Sequence, residues 1–363
     1  MLKKGRKVIL LLLLSVYFFG VNSCNKEESP LDEYNRSTTG LKDYYTPDDY
    51  FYTGVAIPPS FIDNQKKADL IKRHFNSVTA DNDMKWSNLQ ATEGTFTFTN
   101  ADKIVAFAEA NGLKIRGHTL CWHNQVPSWI FKNGDATASK ELVLQRLRTH
   151  ITTVMTHFKG KVYAWDVVNE AIDDGSSVYR TSQWYNICGE DYIIEAFKAA
   201  RAADPDAKLF YNDYTAIDPV KRDKIYTLLA KLKEQNLVDG MGLQGHWNVS
   251  YPSSSLISDA FNKYKSLGIE LQITELDVSV YTSNSDPESA YTDVIAQKQS
   301  VAYRRYFDAF RTFRDDITGV TFWGLADDNT WLDNFPVSGR KNYPLLFDVN
   351  LDPKPAYFEI IGF

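Results

Sequence analysis

An α/β fold, a (β/α)8 TIM barrel in one domain, is what this 363-residue chain predicts, on three observations. Eight short β-rich runs recur along it. Amphipathic stretches with helical spacing fill the intervals, several opened by Asn, Asp or Pro. Polar residues gather where the runs give way to the following loops. Eight strand-then-helix units in a domain of this length close into a barrel, whose chemistry collects at the carboxyl ends of the strands.

In chain order, Lys3, Lys4, Arg6 and Lys7 precede a continuous apolar run from Val8 to Val21, then small or polar residues up to Cys24. A run of about fourteen residues is short of the ~20 that a membrane span needs, so residues 1–23 read as an export signal. Cys24 follows Gly20-Val21-Asn22-Ser23 and precedes Asn25-Lys26-Glu27-Glu28, which resembles a lipoprotein cleavage site. Lipidation of Cys24 is expected; the alternative is an ordinary cleaved signal with an incidental cysteine. Residues 24–42 are polar and without periodicity, and predict a flexible tether, with the folded domain spanning 43–363. Cleavage there would take Lys+Arg from 40 to 36 against 46 Asp+Glu, a net charge of −10. An acid surface argues against nucleic acid and against anionic membranes. Of the two cysteines left, Cys121 lies beside Trp122 and is expected to pack as a small apolar residue, although one disulfide with Cys188 is permitted.

The predicted strands are Phe51 to Ile57, Ser77 to Ala80, Leu113 to Thr119, Val162 to Val168, Lys208 to Tyr211, Met241 to Gly245, Leu271 to Thr274 and Gly319 to Trp323. Helical stretches include Asn100 to Asn111, Lys140 to Phe158, Asp191 to Ala203, Pro219 to Glu234 and Asp286 to Arg314. From the second unit onward, the strand ends present Asp81, Asn82 and Lys85; His118, Trp122, His123 and Gln125; Asn169 and Glu170; Asn212 and Asp213; Gln244 and His246; Glu275 and Asp277; Trp323 and, farther on, Trp331. In a barrel these converge on one face.

Two apolar strands that each deliver a carboxylate, Glu170 and Glu275, supply what cleavage of a glycosidic bond requires. One carboxyl must be protonated to serve the leaving oxygen, and one ionised to attack or stabilise an oxocarbenium-like centre. A lone Glu at a strand end is as readily a structural ion pair. Two at matching positions, each among further polar residues, are not. Aromatic residues make up 14% of the chain, and several lie near strand ends, as a sugar-stacking cleft requires. No Cys or His spacing suits a metal, and no cofactor is expected.

The segments DNDMKW (81–86), GHTLCWHNQVPSW (117–129), WDVVNEAI (165–172), FYNDY (210–214), GLQGHW (242–247), ITELDV (273–278), FWGLADDNTWL (322–332) and PLLFD followed by KPAY occur in this order. Together they resemble glycoside hydrolase family 10, the endo-β-1,4-xylanases. The resemblance implies that Glu170 is the general acid/base and Glu275 the nucleophile of a retaining double displacement, with carboxyl groups about 5–5.5 Å apart. It implies that His246 bonds the nucleophile and that Asp277 orients that imidazole. Glu275 would then stay ionised, while Glu170 would be protonated in a drier setting. Asn169 matches the ligand of the sugar 2-hydroxyl. His118 and Gln244 match positions around the same sugar, and Asn82 and Lys85 match hydroxyl ligands one sugar farther out. Trp122, His123 and Gln125 stand in step around His118, and Gln125, Trp323 and Trp331 match residues walling the place of a glucose hydroxymethyl. Tyr214 is a candidate stacking platform on the leaving side. Asp81 stands where most members carry Glu, which shortens the reach to the outer glycone sugar, and Thr215 stands where Asn is common.

The implied partners are xylan and xylo-oligosaccharides, acted on by a monomer held to a membrane only through the lipid. The expected location is a bacterial outer membrane or cell surface, alternatively the periplasm or medium. An endo-β-1,4-glucanase on the same barrel and a glycan-binding lipoprotein without chemistry are the alternatives. The first conflicts with the Gln125 and Trp331 wall, the second with the presence of both glutamates and of His246 and Asp277.

Overall fold

The computed structural model describes residues 29–363, so the expected export signal and lipidation at Cys24 lie outside the described residues. The chain divides into two units, Met1–Ser37 and Thr38–Phe363. In the first, Pro30–Arg36 form a helix, with Ser29 accepting from the Asp32 amide and Pro30 pre-set at the first turn. This helix falls within the stretch 24–42 that was expected as a flexible tether. The second unit starts at Thr38, ahead of the expected 43. Leu41 is fully buried, and Gly40 passes so near the Arg73 carbonyl that a Cβ would stand 1.8 Å from its oxygen.

Eight parallel strands form the barrel: β1 (Tyr52–Ile57), β2 (Ser77–Ala80), β3 (Lys114–Cys121), β4 (Val162–Asn169), β5 (Lys208–Asp213), β6 (Gly240–Leu243), β7 (Glu270–Ser279) and β8 (Ile317–Phe322). Neighbours in sequence are neighbours in the sheet, and β8 pairs with both β7 and β1, which closes it. The strands are buried on both faces, as a parallel sheet wrapped by helices must be. Packing inside is close. On β3, Gly117 faces its register partner Trp165 on β4, where a Cβ would lie 2.1 Å from the indole.

Each strand is followed by a helix: α1 (Gln65–His74), α2 (Thr99–Ala110), α3 (Lys140–His157), α4 (Asp191–Ala203), α5 (Pro219–Glu234), α6 (Ser254–Lys265), α7 (Asp293–Thr312) and α8 (Pro355–Ile361). In α3 the side chain of Ser139 caps the first turn by accepting from the Leu142 amide, and Val143, Leu147, Ile151 and Val154 recur every three or four residues on the buried face. Each of those side chains stabilises the fold by roughly 1.5–3 kcal/mol. The expected helix from Asp286 begins only at Asp293. The Asp286 carboxylate accepts from the amides of Thr282 and Ser283 and folds that stretch into a loop, and Thr292 supplies the cap.

Strand β6 also ends earlier than expected, at Leu243. Gly245 takes φ +81° and turns the chain, after which His246–Asn248 form a short strand along the end of β7. In that register His246 pairs with Asp277. Cys121 and Cys188 are both buried free thiols, so the permitted disulfide is absent and Cys121 packs as a small apolar residue.

Candidate active site

The carboxyl ends of the strands bring Glu170 and Glu275 to one face, joined by a ladder of carboxamides. Asn212 Nδ2 donates to Glu275 Oε1 at 2.7 Å and to Asn169 at 2.9 Å. Gln244 Nε2 lies 3.2 Å from the same Asn169 oxygen and donates to Glu170 Oε1 at 2.9 Å. Three neutral side chains therefore fix the two carboxylates relative to each other.

Glu275 sits between two imidazoles. His246 Nε2 is 3.2 Å from its Oε2, and His118 Nδ1 is 3.8 Å from its Oε1. Burial pushes its carboxyl pKa up, but the charge of His118, the His246 bond and Lys85 overcome that and hold it down at about 2. His246 is likewise opposed by burial, yet Asp277, 2.9 Å from its Nδ1, and Glu275 raise its pKa to about 10. It is a cation bridging two carboxylates, and Trp331 Nε1 donates to the same Asp277 oxygen at 2.8 Å. On the far side, His118 Nδ1 meets Asp166 Oδ2 at 2.9 Å, and Asp166 is held by a bidentate contact with Arg116 deep in the barrel.

Glu170 has different company. Trp122 Nε1 donates to its Oε2 at 2.9 Å, Gln244 to its Oε1, and the nearest imidazole, His123, is 3.9 Å away. The expectation of a drier acid is corrected here: the Glu170 side chain is 12% exposed against 6% for Glu275. What separates the two is bonded charge rather than burial.

The backbone at Glu170 takes φ +57°, a left-handed conformation that costs a residue with a side chain about 1–3 kcal/mol. Four bonds hold it. Glu170 N–H donates to the Asn212 carbonyl, Arg180 Nε donates to the Glu170 carbonyl, and the amides of Ala171 and Ile172 both donate to the Tyr211 hydroxyl, at 3.0 and 3.1 Å. That hydroxyl donates to Asp213, a fully buried carboxyl whose pKa burial raises to about 7 against the pull of Lys221. Asp213 is therefore a support behind the face rather than a lining residue. Lys221, itself buried, reaches Asp174 as well and lies 3.6 Å over the ring of Tyr214.

Around this centre, Lys85 Nζ donates to Asn82 Oδ1 at 3.0 Å and Gln125 Nε2 to the same oxygen at 3.1 Å. Lys85 is buried and lies between Trp122 and Trp323; burial lowers its pKa, resisted by Asp81, Glu275 and Glu170. Burial raises the pKa of Asp81, with Lys85 and His118 opposing. Trp323 packs edge-on to His118 with centroids 5.2 Å apart, and Trp331 on His246 at 4.9 Å. Asn82, Lys85, His118, Trp122, Gln125, Asn169, Gln244, His246, Asp277, Trp323 and Trp331 thus join the two glutamates in one network, and Tyr214 stands beside Glu170 through Arg180.

Tyr211, Arg180, Asp166 and Arg116 carry weight that sequence reasoning did not assign, and Asn212 proves to bond the Glu275 carboxylate. Alternation offered a signal: Arg116 lies two residues before His118 on β3, and Tyr211 two before Asp213 on β5, hence on the same strand faces.

Comparison with known proteins agrees with this geometry. The family model Glycosyl hydrolase family 10 matches residues 40–362. Endo-1,4-beta-xylanase B of Paenibacillus barcinonensis is 48% identical over 318 residues, covering 86% of this chain and 95% of the relative. Beta-1,4-xylanase of Dictyoglomus thermophilum is 43% identical, covering 98% of both. The crystal structure of the P. barcinonensis xylanase XynB with a conduramine derivative superposes with a TM-score of 0.86 at 46% identity, over 89% of this chain and 98% of that one. The chain belongs to glycosyl hydrolase family 10.

Proposed function

We propose that this glycoside hydrolase is an endo-1,4-β-xylanase that cleaves internal bonds of xylan with retention. The observation that carries the reading is the unequal pair: Glu275 held ionised between His118 and His246, and Glu170 bonded only by the neutral donors Trp122, Gln244 and Asn169. In the first step a Glu275 oxygen attacks the anomeric carbon. The glycosidic C–O bond breaks, and the Glu170 proton passes to the departing oxygen. Water then attacks the glycosyl ester, giving its proton to Glu170 and releasing Glu275. Asn169, between the two carboxylates, is placed to bond the sugar 2-hydroxyl.

The wall formed by Gln125, Trp323 and Trp331 favours xylose over glucose by leaving no room for a hydroxymethyl group. The relatives named as xylanases support this choice. Turnover of unsubstituted xylan beside carboxymethylcellulose, with proton NMR from the first minute, tests it. Early β-anomeric xylo-oligosaccharides are expected; dominant cellulose turnover, or α-anomers, would overturn it. Export and attachment through a lipid at Cys24 remain part of the proposal, supported by the Val8 to Val21 run. Metabolic labelling with a fatty acid, lost in Cys24→Ser, is the expected result.

A further inference from the structure

Against the His246 and Trp331 wall lies a second cavity of ≈ 240 Å³, walled by the loops after β6, β7 and β8. Its lining includes Arg340, which is only 8% exposed. Nη1 of Arg340 donates to the carbonyls of Ser283 (3.1 Å), Asn284 (3.3 Å) and Asp286 (2.8 Å), and the guanidinium lies 4.0 Å over Tyr281. Among the described residues no carboxylate stands within 4.0 Å of it, and Nε and Nη2 have no acceptor in the protein. The Asp286 carboxylate is engaged instead by the amides of Thr282 and Ser283. Three other buried cations have counter-ions, Arg116 with Asp166, Lys221 with Asp213 and Lys354 with Asp327, whereas Lys85 in the cleavage site has, like Arg340, no carboxylate within 4.0 Å among the described residues. Leaving a buried charge unpaired is costly, so Arg340, like Lys85 in the cleavage site, holds donors that a ligand in its cavity would complete. The same cavity is lined by Asp277, whose Oδ1 is buried without a donor, while its Oδ2 is taken by His246 and Trp331.

We propose that this cavity receives a uronic acid branch of the polysaccharide. It rests on the xylan reading and extends it to substituted chains. The sugar carboxylate would take the two unused nitrogens of Arg340 in a fork. Because the cavity falls below the ≈ 300–1,000 Å³ typical of small-molecule pockets, it suits a single sugar and excludes an oligosaccharide. His246 and Trp331 belong to both the cavity and the cleavage site, so the branch would hang from a backbone sugar next to the bond being cut.

The test compares kcat/KM on glucuronoxylan with that on the same polymer after its carboxyl groups have been reduced to hydroxymethyls. The wild-type enzyme is expected to favour the native polymer by about tenfold, the worth of one charged hydrogen-bonded contact. In Arg340→Gln the ratio should fall to about one, with Arg340→Lys in between because it keeps the charge and loses the fork. Each ratio is internal to one variant, so a general loss from the 283–286 loop cancels. Calorimetry with the inactive Glu275→Ala protein gives a second readout: a glucuronyl-substituted xylotriose should bind more tightly than plain xylotriose, and the added Arg340→Gln should abolish the difference. Equal wild-type rates on both polymers, or equal affinities, would overturn the branch pocket while leaving the xylanase reading intact. Absence of turnover on any xylan would remove that reading instead.

Discussion

The two walls of the cleft hold chemically identical side chains in opposite ways. Around Glu275 charge is dense: His118 and His246 flank it, each backed by its own aspartate, Asp166 and Asp277. On the Glu170 carboxyl the donors are neutral, and the effort goes into the backbone, with four hydrogen bonds, one of them from Arg180, fixing a left-handed residue. A nucleophile must stay ionised, so its wall supplies cations. An acid/base must change protonation state twice per turnover, so its wall supplies position and little fixed charge. Two glutamates at the ends of similar strands acquire different chemistry from what is bonded to them.

Breaking the charged wall should have the largest effect. Glu275→Ala is expected to lower turnover on every substrate by on the order of 10⁵-fold or more, since no other group can form the ester. Breaking the neutral wall should discriminate by leaving group. Glu170→Ala is expected to lose about 10²–10⁴-fold on xylan, to spare the first step with activated aryl xylosides, and to be rescued by azide. Equal losses on both substrates would contradict the assignment. Next comes the support beneath His118. Arg116→Met leaves Asp166 buried without its cation, and a stability loss of about 3–5 kcal/mol in denaturant unfolding is expected. Smaller still is Tyr211→Phe, which removes the acceptor for the Ala171 and Ile172 amides. It should lower kcat on poor leaving groups by about tenfold, the worth of one to two hydrogen bonds, with aryl xylosides of good leaving group nearly unaffected. A purely structural role would reduce both alike.

The charged wall also sets a pH window for stability. Glu275 has its folded pKa depressed to about 2, so its contribution is present above the unfolded value of ~4.3 and is lost as pH falls through about 2. His246 is raised to about 10, so its contribution is complete below ~6.5 and is lost as pH rises through about 10. Thermal stability should plateau between these unfolded values, and His246→Asn should flatten the alkaline limb. An unchanged alkaline limb in that variant would show that the imidazole is not held as a cation.

Much of this was legible in the sequence because the signals are local. Apolar runs with polar ends gave the strands, and strand alternation put Glu275 and Asp277 on one side of β7. The order of motifs from Asp81 to Trp331 supplied the family and the two catalytic positions. Relations between strands were less legible. That His246 faces Asp277 depends on a turn at Gly245 and a three-residue strand too short for periodicity to show. The Tyr211 hydroxyl meets the 171–172 amides, and Arg116 meets Gln272 across the barrel interior, through closure rather than through sequence spacing. The His246 and Asp277 support of Glu275 was legible in the motifs, whereas the drier setting expected for Glu170 was not met, because exposure at a strand end depends on loops that sequence spacing does not fix.

The division of labour is tested most directly by trapping the glycosyl-enzyme. A 2-deoxy-2-fluoro xylobioside with a dinitrophenolate leaving group slows the second step more than it slows the first, and the adduct can be located by peptide mass spectrometry. The expected result is one added disaccharide per protein, on Glu275, with none in Glu275→Ala. An adduct on Glu170, or complete turnover with no covalent species at any time, would contradict the assignment of the two walls.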